Sequence, residues 1–168
     1  MPKGYTKALA ERLNRISRIP VKEAVDGEEI VPGRVLIAPA GEHLSVRMNK
    51  EGKGVIRLFM EPENSGHHPS VDVMMRSVAE VYGERVVGVL MTGMGHDGME
   101  GMKAVKQNHG KTMAQDKDSC VVYGMPRSVV EIGVVDQVVP LSHLSERIVD
   151  CVETEWERDI QKRRLTAP

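Results

Sequence analysis

The chain has 168 residues, of which 40% are hydrophobic and 28% are charged, and its formal net charge is -1 at pH 7. This length is sufficient for a domain with a substantial core, and the near-zero charge provides no general attraction to nucleic acid or to an anionic membrane. No apolar run approaches the roughly 20 residues of a membrane-spanning helix, and no signal-peptide pattern is present, so we expect a cytoplasmic protein.

The first half of the chain begins with a helix and continues with strands. Apolar residues at helical spacing predict a helix over 4–18 and assign its buried face to Tyr5, Ala8, Leu9, Leu13 and Ile16. A short strand is predicted near 21–25, and Arg34–Ala38 is typical of a buried strand. Alternating apolar and polar residues on both sides of the turn-rich Asn49–Gly54 predict an antiparallel hairpin.

In the second half, strands and helices alternate. A loop over 62–69 precedes an amphipathic helix between Val71 and Tyr82. The elements predicted after it are a strand over 85–92, a helix over 98–108, a strand over 111–115, a helix over 126–132, a strand over 134–139 and a final helix from Ser142. The final helix is predicted to bury Leu144, Ile148, Cys151, Val152 and Trp156. This alternation predicts an α/β fold with a mostly parallel, doubly wound sheet, helices on both of its faces and an antiparallel hairpin insertion.

The segment 85–98 has the strongest chemical signal in the chain. Its apolar run Val86–Met91 shows no alternation, which predicts a strand buried on both faces. A turn follows whose glycines are Gly93, Gly95 and Gly98. Asp97 is the only carboxylate in this turn, and it falls at the carboxyl end of a strand, where sheets of this class place their chemistry.

One interpretation of this turn is a dinucleotide site. The sequence from Gly93 to Gly98 matches the pattern G-x-G-x-x-G between a strand and a helix, and Asp116 ends the next strand, near where a ribose-binding acid would stand. Asp97 opposes this interpretation because its carboxylate would repel the pyrophosphate. A purely structural alternative is that Asp97 is the N-cap of the following helix.

A second interpretation gives Asp97 the role of the acid in a catalytic triad, where it would orient an imidazole. That role requires a histidine base and a serine or cysteine nucleophile at neighbouring strand ends. The residues considered for these partners are His67, His68, His96, Ser119 and Cys120. Cys120 is expected to be a small buried hydrophobe. A metal bound by His67, His68 or His96 together with Asp72 or Asp97 lacks a supporting ligand spacing, so we expect no metal and no cofactor.

Several segments match one known family in the same order along the chain. They are Met1–Thr6, Ala10–Asn14, Val21–Gly33, Ile37–Pro39, Pro69–Asp72, Leu90–Gly98, Ala114-Gln115 and Ser119–Arg127. On these segments the chain resembles the catalytic domain of the CheB-type chemotaxis protein-glutamate methylesterases, over nearly all of 1–150. The resemblance implies a methylesterase domain over 1–153 that lacks its amino-terminal part, followed by a charged helical tail over 154–168.

The resemblance also implies a mechanism. In the family, a serine attacks the methyl ester of a chemoreceptor glutamate, a histidine acts as the base, and an aspartate orients that histidine. Some members deamidate receptor glutamines by the same route. Asp97 matches the aspartate, and Met94 matches the methionine whose backbone N–H helps to bind the oxyanion. The expected partners are therefore methyl-accepting chemotaxis receptors.

The sequence departs from the family at its beginning. The family carries the serine in a Gly-Ala-Ser-Thr-Gly-Gly-like turn and the base in a His-Met-Pro motif, and this sequence begins at Met1-Pro2, one residue after that histidine. The first strand-helix-strand unit is thus missing, so we expect inactivity of the chain alone and self-association through exposed sheet edges. The alternatives are a non-catalytic module that binds chemoreceptors or a chemotaxis partner, and the dinucleotide-binding domain.

Overall fold

A computed structural model of the protein describes residues 4–60 and 67–166, with side chains described up to residue 154. The chain divides into two compact units, Met1–Val81 and Tyr82–Pro168, and each is described separately. Most of the loop predicted over 62–69 lies outside the described residues.

The first unit contains helices, a parallel strand pair and an antiparallel hairpin. Its elements are α1 (Tyr5–Ile16), β1 (Val21–Glu23), β2 (Val35–Ile37), β3 (His43–Met48), β4 (Gly54–Phe59) and α2 (Val71–Tyr82). Strands β1 and β2 pair in parallel, with Val21 opposite Val35. Strands β3 and β4 pair antiparallel, with Val46 opposite Ile56, which confirms the predicted hairpin.

The buried face predicted for α1 was wrong. Tyr5 and Leu9 are exposed, and Ile16 is 76% exposed, whereas Thr6 and Ala10 are buried. The Thr6 hydroxyl donates a hydrogen bond to Glu23 Oε1 over 2.6 Å and accepts one from the Ala40 N–H over 3.0 Å. Small residues therefore form the face of α1 that meets β1. Strand β2 is also half-buried and not fully buried as predicted.

The second unit is a three-stranded parallel sheet with helices. After a 3₁₀ turn over Gly83–Arg85, its elements are β5 (Val87–Leu90), α3 (Met99–Gln107), β6 (Lys111–Gln115), α4 (Met125–Glu131), β7 (Gln137–Val139) and α5 (Leu141–Thr166). The strand order is β5-β6-β7, with β6 in the centre. Helix α5 continues past residue 153, so the boundary predicted there stays a prediction.

Alternate residues of β5 pack against different helices. Val87 and Val89 pack on the cluster of Met113, Val139 and Leu144, to which α5 contributes Leu144. A Cβ atom at Gly88 would instead meet Met102 and Val105 of α3. Helices thus cover both faces of this sheet, which confirms the predicted fold class.

Two burial predictions for the second unit were wrong in part. Val86 and Leu90 are buried as predicted, but Val87 and Val89 are half-buried, and Met91, which lies beyond the end of β5, is 41% exposed. In α5, Leu144 is buried, but Val152 is exposed. The side chain of Trp156 lies outside the described residues.

A polar network connects the start of β6 to the chain just before β7. The Thr112 hydroxyl donates to the Val134 carbonyl oxygen over 2.7 Å, and the Thr112 N–H donates to Asp136 Oδ2 over 2.9 Å. The Lys106 ammonium forms an ion pair with the same carboxylate. Burial acts to raise the pKa of Asp136, but the bonds from Lys106 and Thr112 outweigh it, so this pKa lies below its usual value.

Candidate functional site

The candidate site is the turn over 91–98, which joins the end of β5 to the start of α3. Gly95 and Gly98 have φ angles of +83° and +98°, a left-handed conformation that favours glycine. Asp97 lies between them and is half-buried, and Met94 is 83% exposed at the outer side of the turn. The turn thus presents a carboxylate and a solvent-facing peptide segment at the carboxyl end of a parallel strand.

The structure assigns the start of α3 to Gly98. Gly98 is the N-cap residue, and its carbonyl oxygen accepts the Met102 N–H over 2.9 Å. The interpretation of Asp97 as the N-cap was therefore wrong. Asp97 lies one residue earlier, in the turn.

A second loop, over 119–125, packs against this turn and extends the parallel pairing beyond β5 and β6. The Gly93 N–H donates to the Val122 carbonyl oxygen over 3.0 Å, and the Gly93 carbonyl oxygen accepts the N–H groups of Gly124 and Met125. The Thr92 hydroxyl accepts the Val122 N–H over 2.9 Å and lies 3.1 Å from the Val122 carbonyl oxygen. These bonds hold the turn against the second loop at Thr92 and Gly93.

The two segments approach so closely that a Cβ atom at Gly124 would meet backbone atoms, whereas one at Gly93 would meet the flexible side chain of Met125. A Cβ atom at Gly124 would lie 2.7 Å from the Gly93 carbonyl oxygen and 3.0 Å from the Gly95 nitrogen. A Cβ atom at Gly93 would overlap the Met125 sulfur. The first glycine of the motif is thus explained by packing against the second loop.

Asp116 and Ser119 bind each other after β6. The Asp116 carboxylate accepts hydrogen bonds from the Ser119 N–H, over 3.2 Å, and from the Ser119 hydroxyl. The Ser119 hydroxyl oxygen also accepts a hydrogen bond from the Leu141 N–H over 3.0 Å. Asp116, which the sequence suggested as a ribose-binding acid, and Ser119, which it suggested as a nucleophile, therefore both have structural partners.

Cys120 is partly exposed, which corrects the prediction of a small buried hydrophobe. Burial raises the pKa of its thiol, a hydrogen bond with Thr92 acts in the opposite direction, and the Asp116 charge raises the pKa further. The thiol is therefore poorly ionised at neutral pH, which does not suit a nucleophile.

The histidines are distributed over both units. His96 is exposed within the turn, next to Asp97. His67, His68 and Asp72 belong to the first unit, where the ring centroids of His68 and His43 lie 4.5 Å apart. Among the described side chains, those of residues 4–60 and 67–154, no three of His, Cys, Asp or Glu come together as a metal site.

The sequence reasoning missed three residues that shape the turn, namely Thr92, Gln115 and Gly124. Gln115 is fully buried at the end of β6 and binds the Thr92 N–H. A polar residue that ends a buried strand was an available signal, because a buried amide needs hydrogen-bond partners. The partner itself is 23 positions away in the sequence, beyond the range of any local pattern.

The comparisons with known proteins agree with this geometry. The model of the CheB methylesterase family matches residues 1–148. The chain belongs to the CheB methylesterase family. This confirms the resemblance found from the sequence segments.

Two curated relatives in the CheB family carry the name protein-glutamate methylesterase/protein-glutamine glutaminase. The chain is 46% identical over 150 residues to the protein from Bordetella bronchiseptica, covering 89% of this chain and 43% of that protein. It is 43% identical over 153 residues to the protein from Pyrococcus horikoshii, covering 91% of this chain and 41% of that protein. The chain thus spans less than half the length of these CheB relatives.

A solved CheB structure shares the fold. The CheB methylesterase catalytic domain of Thermotoga maritima superposes with a TM-score of 0.85 at 42% identity, covering 89% of this chain and 79% of that domain. The mixed α/β architecture is therefore that of a CheB catalytic domain. No helix in the described part of the chain combines the length and apolarity needed to cross a bilayer.

Proposed function

We propose that this chain supplies the orienting acid and the oxyanion-binding turn of a cytoplasmic protein-glutamate methylesterase that acts on chemotaxis receptors. The names of the curated relatives support the reaction, hydrolysis of glutamate methyl esters with a glutamine deamidase activity beside it. The observation that carries the proposal is the position of Asp97 in a turn whose backbone is fixed at the end of a parallel strand.

In this proposal Asp97 accepts the Nδ1–H of a histidine and stays ionised throughout. The histidine takes the proton of a serine hydroxyl as the serine oxygen attacks the ester carbonyl, and then gives it to the departing methanol. Water hydrolyses the resulting acyl-enzyme in the same way. The Met94 N–H stabilises the negative charge that develops on the carbonyl oxygen in each tetrahedral intermediate.

The serine and the histidine are the parts of this mechanism that the 168 residues do not match. None of the six histidines lies in a His-Met-Pro motif, and no serine lies in a Gly-Ala-Ser-Thr-Gly-Gly-like turn. We therefore propose that these 168 residues are inactive by themselves and need a further segment carrying both groups. An ordinary carboxylate is a weaker general base at neutral pH than an imidazole, because the pKa of a carboxyl group is about 4 and that of an imidazole is about 6.5.

The test joins the chain to the part of the Thermotoga maritima domain that it does not match. Methanol release from methylated receptors is measured for the 168-residue chain, the joined protein and two variants of the joined protein. We expect no release from the chain alone and release from the joined protein. Asp97→Asn should lower kcat by about 10⁴, because the amide favours the wrong histidine tautomer.

Asp118→Asn is the matched control, because Asp118 is an exposed carboxylate in the loop after β6. The same change of charge there should leave methanol release nearly unchanged. The proposal is wrong if the chain alone releases methanol at a rate that Asp97→Ala abolishes. It is also wrong if the joined Asp97→Asn protein keeps full activity.

The other functions suggested by the sequence predict different outcomes. A non-catalytic module would bind receptor fragments while the joined protein gives no turnover. A dinucleotide-binding domain would bind NAD saturably at millimolar concentrations or below. Two observations count against the dinucleotide: packing against Met125 already explains Gly93, and the Asp116 carboxylate already binds Ser119.

A further inference from the structure

We propose that Gln115 is a positioning residue that holds the turn over 91–98, and with it Asp97 and the Met94 N–H, in place. Its effect on catalysis rests on the proposed function, but its effect on the turn does not. The proposal follows from the hydrogen-bond partners of the buried Gln115 amide, from the way these partners are connected, and from the inaccessibility of this side chain to solvent.

The Gln115 amide connects two segments that are not adjacent in the sequence. Its Oε1 accepts the Thr92 N–H over 2.9 Å, and its Nε2 donates to the Ser119 carbonyl oxygen over 2.8 Å. Nε2 also lies 3.2 Å from Ser119 Oγ. Because the Thr92 N–H can only donate and the Ser119 carbonyl can only accept, the orientation of the amide is determined.

Both partners of Gln115 lead directly to the candidate site. Thr92 precedes Gly93, and its hydroxyl binds the backbone of Val122 in the second loop. Ser119 begins that loop and also contacts Asp116 and the first residue of α5. Gln115 thus lies where the end of β5, the second loop and the start of α5 are joined by hydrogen bonds.

The amide of Gln115 is buried, and both its oxygen and its nitrogen have partners. Its oxygen accepts a backbone N–H and its nitrogen reaches two acceptors, and the side chain is inaccessible to solvent. A side chain in this situation cannot also bind substrate. Gln115 therefore acts through the turn and is not a catalytic residue.

No other side chain at position 115 provides the same pair of contacts. Methionine has nearly the same length but offers neither a strong acceptor nor a donor. Glutamate retains the acceptor for the Thr92 N–H but places a second acceptor against the Ser119 carbonyl. Gln115→Met therefore removes both contacts, and Gln115→Glu removes only the contact with Ser119.

The test uses the 168-residue chain and NMR spectroscopy. Amide hydrogen exchange and amide chemical shifts are recorded for the wild type, Gln115→Met, Gln115→Glu and the control Thr112→Val. Thr112 is also buried on β6 and also has several hydrogen bonds, but these lead to Val134 and Asp136. Both substitutions thus disturb a buried polar contact on the same strand.

We expect Gln115→Met to accelerate exchange at the Thr92 N–H about tenfold or more and to shift the amides over 92–98. Gln115→Glu should shift the amides of the second loop while the Thr92 N–H stays protected. Thr112→Val should shift the amides near Asp136 and leave those of the turn unchanged. The proposal is overturned if the turn is unaffected in Gln115→Met, or if Thr112→Val disturbs it equally.

One measurement on the wild type keeps the test decisive if the variants do not fold. The two side chain amide protons of Gln115 should be protected from exchange and should show contacts to Ser119. Rapid exchange of both protons with solvent would overturn the proposal without any substitution.

The consequence for catalysis is measured on the joined protein described above. There, Gln115→Met should lower kcat about tenfold to a hundredfold while KM changes little, because displacement of the turn misaligns Asp97 without removing substrate contacts. Equal effects of Gln115→Met and Thr112→Val on kcat would refute the positioning role. Inactivity of the joined wild type would instead refute the proposed function, and the NMR result would still decide the role of Gln115.

Discussion

Gly124→Ala probes the contact between the second loop and the candidate turn. The added Cβ would lie 2.7 Å from the Gly93 carbonyl oxygen, 3.0 Å from the Gly95 nitrogen and 3.2 Å from the Gly95 carbonyl oxygen. All three atoms belong to the backbone, so they cannot move aside as a side chain can. Gly124 has a φ of −100° and a ψ of −70°, so alanine meets no left-handed strain there. The cost of the substitution therefore comes from space alone.

The magnitude follows from two opposing contributions. Forcing an extra carbon into a packed contact costs about 1–3 kcal/mol of the free energy of unfolding. Replacing glycine by alanine also reduces the entropy of the unfolded chain, which returns about 0.4–1 kcal/mol. We expect a net destabilisation of about 1–2 kcal/mol. With a urea m-value of about 1–3 kcal/mol/M, the unfolding midpoint should fall by about 0.3–2 M.

Urea unfolding of the 168-residue chain, followed by far-UV circular dichroism, measures this difference. Gly93→Ala is the matched control, because its added Cβ would meet only the side chain of Met125, which can rotate away. We expect the free energy of unfolding of Gly93→Ala to lie within about 1 kcal/mol of the wild-type value, because a small packing cost is offset by the reduced entropy of the unfolded chain. Two results would refute the reasoning: Gly124→Ala as stable as the wild type, or Gly93→Ala more destabilised than Gly124→Ala.

Two further predictions concern the second unit. The pKa of Asp136 is lower in the folded state than the value of about 3.9 of an unfolded aspartate, in part because of its ion pair with Lys106. The ionised carboxylate therefore stabilises the fold above about pH 3.9. This stabilisation is lost as the pH falls through the folded-state pKa. Urea midpoints between pH 7 and pH 2 should therefore fall less steeply for Asp136→Asn than for the wild type, and equal slopes would contradict the assignment. Strand β5 is an edge of its sheet within the described residues, so the chain should self-associate with increasing concentration in sedimentation velocity. A single monomeric species over a hundredfold concentration range would contradict that prediction.

Local sequence patterns were sufficient to predict the elements whose residues interact mainly with residues close to them in the sequence. The hairpin was predicted correctly because alternation and a turn-rich segment determine both its strands and its register, with Met48 opposite Gly54. The parallel strands of the second unit were also found, because strand-helix-strand alternation permits few arrangements. The identity of Asp97 as a candidate depended on its position after a strand together with the family resemblance.

Most of the wrong burial predictions concern contacts made over long distances in the sequence, whereas the N-cap of α3 was misplaced by one residue. The helical pattern of α1 placed its large apolar residues inside, but the buried face is determined by the Thr6 bonds to Glu23 and to the Ala40 N–H. Strand β5 looked fully buried because its composition is that of a central strand, and composition does not reveal which strands pair. Gln115 was missed for the same reason, since its partner Thr92 lies in the turn after another strand.

The glycine pattern of the turn shows how one motif can arise from separate physical causes. Gly95 and Gly98 have positive φ angles that favour glycine, whereas Gly93 packs against the side chain of Met125. The glycine pattern therefore has local structural causes that do not depend on a bound nucleotide. Because Gly93 and Thr92 are bound by the second loop, and Gly98 begins α3, both ends of the turn are fixed. The position of Asp97 is therefore determined by the backbone on either side of it, which is the property that an acid needs in order to orient an imidazole.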